Sequence, residues 1–500
     1  MKSSLFLKLA PFLCFSLTVF GQSLVGNIIY GEAASDHEGY RISISSDGSI
    51  IALGSPFHVD SGHVRVFQFD NGTNMWVQLG ANIDGSLTGD AAGASVSLSA
   101  DGSRVAIGAR GNDGNGDSSG QVRVFEYDMG TDSWNVLGNE LFGEAAGDWF
   151  GISVALSSDG NVMAAGAIYN DNVPSNSGQV RVFQYDMGTN MWNQKGSDIN
   201  GQANGDNMGG AVSLSSNGNI VAIGSIYNDA GGSNAGQVLV FEYDMGSNSW
   251  NPLGNRINGD NSSDRSGHSV SLSSDGKTVA IGTPFNSGGG NTSGQVRVLR
   301  YDMGSNMWLK LGSDIYGNIG DQAGYSVSLS SSGNIVAIGA NYDSTAGYRS
   351  GRASVYQYNQ GSNSWNLAGS DINGEAASDQ SGYCVSLSSD GNRLAVGSYD
   401  NDGNGANSGD VRIFDMSGVL ATERFIQSNF NLFPNPTQDK FTIVLKEGME
   451  LEKVSLYNNL GQFLFSSFEY SVDIKSLSRG LYFAEIVTEQ GKATKKLVVK

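Results

Sequence analysis

The sequence predicts an all-β protein: a seven-bladed β-propeller followed by a small β-sandwich. Three observations lead there. One unit of about 58 residues recurs seven times; each copy holds four strand signals separated by Gly-rich turns; and the composition changes after residue 430.

The recurring phrase is Ser-x-Ser-Leu-Ser-Ser-Asp-Gly, followed by an apolar run that ends in Gly. The residue before its turn glycine falls at Asp47, Asp101, Asp159, Asn217, Asp275, Ser332 and Asp390, at spacings of 54, 58, 58, 58, 57 and 58. The short first step has a local cause: the loop from Gly54 to Gly62 is four residues shorter than the twelve-residue step from Gly108 to Gly120. In the second copy, Ser95 to Ser99 alternates apolar and small polar residues, and Asp101-Gly102 is a tight hairpin turn. Arg104 to Gly108, Gln121 to Tyr127 and a strand from Trp134 to near Leu141 complete an antiparallel meander.

A lone sheet that is apolar on both faces would leave side chains in water, and stacking copies radially covers both faces at once. Ring closure makes a demand on the chain ends. The seventh copy supplies Cys384 to Ser388, Arg393 to Gly397 and Val411 to Phe414, but no fourth strand with a Trp. Leu24 to Gly31 matches the end of that strand as it reads from Leu311 to Gly317, so the N-terminal strand 24–31 is expected to complete the last blade. The propeller then spans 22–417, a linker 418–430 and the second domain 431–500.

Residues 1–21 read as a signal peptide: Lys2 and Lys8, an apolar stretch from Leu9 to Phe20, and small Gly21 at the cleavage point. No other stretch approaches eighteen apolar residues, so no transmembrane span is expected. With 29 Lys and Arg against 49 Asp and Glu, a net charge of −20, the chain lacks the character of a nucleic-acid binder. Its 70 Gly keep no three-residue period and only 7 Pro accompany them, which excludes collagen. Cys384 is the one cysteine beyond the signal peptide, so no internal disulfide is available; it reads as a small buried hydrophobe.

In a meander, loops 1–2 and 3–4 emerge on one side and loops 2–3 and 4–1 on the other. Only the second side carries long loops, and any binding face is expected there. An Asp stands three residues before the glycine of every inner strand: Asp36, Asp90, Asp148, Asp206, Asp264, Asp321 and Asp379. Seven carboxylates around an axis could focus a cation or basic ligand; the competing reading is that each caps its own turn by accepting from backbone N–H groups two or three residues on. Asp400, Asp402 and Asn404 fit the first half of a calcium loop, and Asp113, Asn115 and Asp117 have similar spacing, but Val411 stands where the bidentate Glu belongs. That leaves at most a weak Ca2+ site, against a plain turn-rich loop. No other cofactor is indicated. Trp76, Trp134, Trp192, Trp250, Trp308 and Trp365 open the outer strands and read as inter-blade packing, whereas Trp149 lies apart in a loop of the candidate face.

The third copy reads Asp148-Trp149-Phe150-Gly151-Ile152-Ser153-Val154 and then Ala165-Gly166-Ala167, which resembles the FG-GAP repeat of integrin-α-like seven-bladed propellers. The other copies keep the glycine but place Glu38, Ala92, Met208, Ser266, Ala323 or Ser381 at the Phe position. Calcium-binding members of that family have a long acidic loop between the first two strands; here it is Ser-Ser-Asp-Gly, so those metal sites do not carry over. Residues 431–500, with Asn431-Leu432-Phe433-Pro434-Asn435-Pro436, Val454 to Gly461, Gly480 to Ile486 and a closing Lys495-Lys496-Leu497-Val498-Val499-Lys500, resemble the C-terminal sorting domain of the type IX secretion system of Bacteroidota. That resemblance implies export through the outer membrane and release or surface attachment, with the secretion machinery as partner. Two functions follow: a non-catalytic binding or adhesion module, monomeric, presenting an acidic face to an extracellular protein or glycan; or a hydrolase or lyase acting on extracellular polysaccharide. An enzyme should break the repeat with His, Arg or paired carboxylates, and only His37 beside Glu38 and Arg265 stand out.

Overall fold

The computed structural model describes residues 21–171, 175–424, 430–446, 450–458, 462–488 and 491–500. The signal peptide expected at 1–21 lies outside the described residues except for Gly21.

Seven sheets repeat one plan. In the third blade Ser153–Leu156, Val162–Ala167 and Gln179–Asp186 pair antiparallel, and the outer strand comes in two pieces, Met191–Gln194 and Ile199–Asn200, both paired with the third strand. The first turn is built by its own side chains. Ser99 Oγ donates to Asp101 Oδ1 at 2.6 Å, Ser103 N–H to the same oxygen at 3.0 Å, and Gly102 takes φ +71°, a conformation costly for any residue with a Cβ.

The inner strands meet at one axis. Ile44, Leu98, Leu156, Leu214, Leu272, Leu329 and Leu387 line a cavity of about 160 Å³ at the tight-turn end. Around it runs a closed circle of backbone hydrogen bonds: Ser46 donates to Ala100, Ala100 to Ser158, Ser158 to Ser216, Ser216 to Ser274, Ser274 to Ser331, Ser331 to Ser389 and Ser389 back to Ser46, all at 2.8–2.9 Å. The repeated serines join neighbours too, as Ser97 Oγ accepts from Leu156 N–H at 2.9 Å and Ser271 Oγ from Leu329 N–H at 2.9 Å.

Further out, the seams explain two other repeated residues. The glycine next to the end of each second strand is pressed against the next blade: a Cβ on Gly166 would lie 2.0 Å from Gly209 O. Each outer-strand indole donates to the preceding blade, as Trp192 Nε1 does to Leu137 O at 2.9 Å and Trp308 Nε1 to Leu253 O at 2.8 Å. Trp192 is 3% exposed, so the indole joins two blades and leaves no surface for a ligand.

The last blade is closed by the chain's other end. Ser23–Leu24 and Ile29–Tyr30 pair with Asp410–Asp415. No Trp comes from this strand, and the substitute is a helix. Ser417–Arg424 occupies part of the stretch 418–430 that the sequence suggests is a linker, and its Val419 and Leu420 are buried against Ile335, Ala368 and Leu394. Val419 lies against Gly369 as the Trp365 ring does against Gly312. Gln22 completes the seam by accepting from Ser370 N–H at 3.0 Å and donating to Ser370 O at 2.5 Å.

Beyond the helix, two sheets enclose a separate core. Phe430–Phe433, Lys440–Leu445 and Ser471–Asp473 form one; Phe463–Ser467, Leu451–Asn458, Gly480–Thr488 and Gly491–Val499 form the other. Phe430, Phe441, Val454, Leu456, Ile486 and Leu497 are buried between them, as the alternation of apolar residues requires.

Because residues 22–31 supply the outer strand of the last blade and the glutamine that closes its seam beside Val419, deleting them should lower the melting temperature by about 10 °C or more. Differential scanning calorimetry checks this, and an unchanged melting curve would rule out closure by this strand.

Candidate functional site

The 2–3 and 4–1 loops share one face of the ring, and the seven aspartates of loop 4–1 lie just beneath it. Asp36, Asp90, Asp148, Asp206, Asp264, Asp321 and Asp379 are 2–4% exposed. Each accepts from the turn before it: Ser86 and Leu87 N–H reach Asp90 Oδ2 at 2.8 and 2.9 Å, and Glu375 and Ala376 N–H reach Asp379 Oδ2 at 3.0 and 2.7 Å. The capped amides thus lie three and four residues back, not two or three residues on, because the chain turns before it reaches the carboxylate. A side-chain amide twenty-two residues on adds a further donor in four blades: Asn112, Asn170, Asn228 and Asn286 at 2.8–3.2 Å. The face is nevertheless acidic, through exposed Glu32, Glu144, Asp260 and Glu375.

In the two calcium-like loops the side chains bond to their own and to neighbouring turns. Asp402 Oδ1 accepts from Asn407 N–H at 2.8 Å, Asn404 turns its amide nitrogen to Gly31 O at 2.8 Å, and Asp400 meets Gln380 and, at 3.1 Å, His37 Nδ1. In the second blade Asp113 Oδ1 accepts from Ser118 N–H at 2.8 Å, Asn115 donates to Gly143 O at 2.8 Å, and Asp117 is exposed beside Ser118. Each loop is tied by its own hydrogen bonds, with one residue of each trio pointing at the neighbouring turn.

At the axial mouth of the same face lies an aromatic arc that no single repeat spells out. Tyr383 stacks on Tyr399 at 4.5 Å, and Tyr325 reaches Tyr383 at 4.9 Å. Tyr40 lies 5.5 Å from Tyr383, while the His37 ring stacks on Tyr399 at 4.2 Å and meets Phe57 at 5.3 Å. Phe57 is 40% exposed and Tyr399 is half-buried at the rim. Trp149 lies further round, half-buried, edge-on to Tyr169 at 4.8 Å with the Arg110 guanidinium 4.9 Å from its ring. Between these, Arg265 and Phe285 border a cleft of about 570 Å³ that also touches Asp264 and Thr292. Sequence reasoning singled out His37, Arg265 and Trp149 here but missed the tyrosines; the position of Tyr40, Tyr325 and Tyr383 holds Ala94, Ile152, Gly210 and His268 in the other blades, so no shared pattern marks it.

The first blade departs furthest from the repeat. Glu38, at the FG-GAP Phe position, is fully buried; burial pushes its carboxyl up, but the Arg65 guanidinium at 3.1 Å, His63 and the Ser55 hydroxyl outweigh this and hold it below the usual range. Cys384 is 9% exposed, and burial raises its thiol, as suits a packing residue.

Asp410, at the start of the seventh blade's third strand, is fully buried, as Glu38 is. Burial pushes it up to about 6, against the pull of Arg412, with Glu375 and Asp379 adding to the rise. At 1.36 kcal/mol per unit, the change from 3.8 to about 6 costs the folded state about 3 kcal/mol above pH 6. The folded state binds the proton more tightly, so this cost vanishes as pH falls from 6 towards 4. Asp410→Asn should therefore unfold in urea at higher concentration than the wild type at pH 8, and the gap should close by pH 4; a gap that ignores pH contradicts the assignment.

Residues 143–183 match the FG-GAP repeat family, and residues 431–500 match the secretion system C-terminal sorting domain family. No curated protein sequence matches the chain. Among solved structures it is similar to the periplasmic gluconolactonase of Pseudomonas aeruginosa, at 14% identity and a TM-score of 0.44, over 67% of this chain and 85% of that one. It is also similar to Saccharomyces cerevisiae Sqt1, at 12% identity and a TM-score of 0.43, over 95% of this chain and 99% of that one. Among the described residues no helix is long and apolar enough to cross a membrane. The chain is thus a propeller with an FG-GAP repeat that carries a type IX sorting domain, the signal that sends it through the outer membrane to the cell surface or beyond.

Proposed function

We propose that the exported propeller is a non-catalytic binding module whose ligand is a glycan, taken at the axial mouth of the loop-rich face. The aromatic arc of His37, Tyr40, Phe57, Tyr325, Tyr383 and Tyr399 carries this reading. Sugar rings present C–H faces that stack on aromatic rings, while tyrosine hydroxyls and Asp400 offer hydrogen bonds to their hydroxyls. Residues 22–430 hold 18 Lys and Arg against 41 Asp and Glu, so the ring repels anionic polymers and favours neutral or amino sugars.

The Asp ring supports the same choice from the other side. Its carboxylates are consumed inside the turns, which leaves aromatic rings and exposed loop acids as the groups a ligand meets. Surface attachment after export would make the module an adhesin.

A glycan array probed with the full chain tests this. We expect binding to neutral or amino-sugar glycans without cleavage, and a loss of about tenfold in affinity for Phe57→Ala and Tyr399→Ala, close to the worth of one stacked ring. Release of oligosaccharides from a bound polymer would favour a hydrolase or lyase instead, and binding unchanged in both variants would move the ligand off the arc.

A further inference from the structure

Three of the chain's four histidines fall in the first blade, and two of them stand where the next four blades carry amides. His58 takes the place of Asn112, Asn170, Asn228 and Asn286, and His63 that of Gln121, Gln179, Gln237 and Gln295. In the third blade two neutral amides converge on a carboxylate: Asn170 and Gln179 donate to Glu144 Oε2 at 3.4 and 3.2 Å. The first blade keeps the carboxylate, as Glu32, and changes both donors. His58 Nε2 and His63 Nδ1 lie 3.9 and 3.8 Å from Glu32 Oε2.

The far side of each ring decides what faces that carboxylate. His58 Nδ1 is 2.9 Å from Asp36 Oδ1, a carboxylate 2% exposed. His63 is fully buried, and its Nε2 faces Glu38 Oε2, also fully buried, at 3.7 Å. A neutral imidazole has one N–H. At His58 the Asp36 carboxylate accepts it, which fixes the tautomer and turns the Nε2 lone pair forward; at His63 the Glu38 carboxylate behind the ring is too far for a hydrogen bond but its charge favours the proton on Nε2. Asn82 agrees with this assignment, since its amide nitrogen lies 3.4 Å from His63 Nδ1 while donating to Glu32 Oε2 at 2.9 Å. Two ring nitrogens and a carboxylate oxygen are therefore gathered within 4.8 Å of one another where the third blade sets two donors against one acceptor. Such a set of acceptors is stabilised by a cation.

We propose that Glu32, His58 and His63 form a binding site for a divalent transition-metal ion, zinc in particular, through His58 Nε2, His63 Nδ1 and one Glu32 oxygen. Two imidazoles and a carboxylate select zinc and its neighbours over calcium, which takes oxygen ligands. Bonds of about 2.0–2.1 Å make a tetrahedral edge of roughly 3.3 Å, so the two histidine-to-glutamate distances close by about half an ångström on binding. The rings lie stacked at 3.9 Å and 25°. His58, on the short turn His58–Asp60 and partly exposed, swings out of the stack to point its lone pair at the ion held by His63. Glu32 is exposed at the loop face, so three protein ligands leave the fourth position open towards solvent. The site rests on the first blade alone and stands whether or not the aromatic arc binds a glycan.

Isothermal titration of the untagged full chain with zinc chloride, and with cobalt chloride read by visible absorption, tests the site. We expect one equivalent of zinc at micromolar affinity or tighter, tetrahedral or five-coordinate cobalt bands, and a melting temperature raised by zinc but not by calcium. The double variant His58→Asn, His63→Gln restores the amides of the neighbouring blades and should fold while losing both zinc heat and cobalt bands. Glu32→Gln, at the exposed edge, should weaken zinc without altering the metal-free melt, and Asp36→Asn should weaken it 10–100-fold by releasing the His58 tautomer. Zinc heat absent up to millimolar concentration, or equal in the wild type and the double variant, overturns the proposal.

Discussion

The circle of backbone hydrogen bonds from Ser46 through Ala100 and Ser389 back to Ser46 sets the terms for the rest of the molecule. It holds only if seven inner strands approach one axis at a common height, and that in turn requires backbone to lie on backbone at every seam. Gly166 against Gly209 O shows the cost of a single methyl group: a 2.0 Å contact that no rotamer can relieve. The repeated glycine, the serines that bond across seams and the indole that reaches the preceding blade all serve this approach. Where the last blade lacks its indole, Val419 and Gln22 supply the apolar contact and the hydrogen bonds instead.

Closure also sorts the faces. On the tight-turn side the blades contribute nearly the same pair, a Leu and a Ser with Ile44 and Ala100 as the exceptions, and the cavity there is small and uniform. On the loop side the buried aspartates brace each turn, which frees the residues above them to vary. Tyr40, Tyr325, Tyr383 and Tyr399 come from three blades and over three hundred residues of chain, yet the Tyr383 ring lies 4.5–5.5 Å from each of the other three. The histidines of the first blade use the same freedom, with Asp36 serving both as turn cap and as the partner that orients His58.

Most of the fold is legible in the chain because each blade repeats its own instructions: the Ser-Ser-Asp-Gly turn, the apolar run ending in glycine, and Trp at the head of the outer strand. The missing outer strand at the seventh blade is visible for the same reason. The helix Ser417–Arg424 is not, since its packing partner at Gly369 lies some fifty residues back and only the absent Trp hints that anything must cover it. The candidate site reads less well. His37, Trp149 and Arg265 stand out as departures from the repeat, but tyrosines in an apolar strand look like core until the ring places them at the axis.

The sequence by itself determined the blade count, the order of strands and the two-domain organisation, because these follow from period, alternation and turn chemistry within each unit. Only the tertiary structure decided where charge and aromatic surface lie. It removed seven conspicuous aspartates from contact and brought Glu32, His58 and His63 together. The physical reason is that a propeller's seams and axis join residues one blade or a whole ring apart, and no local pattern records which side chains will share that space.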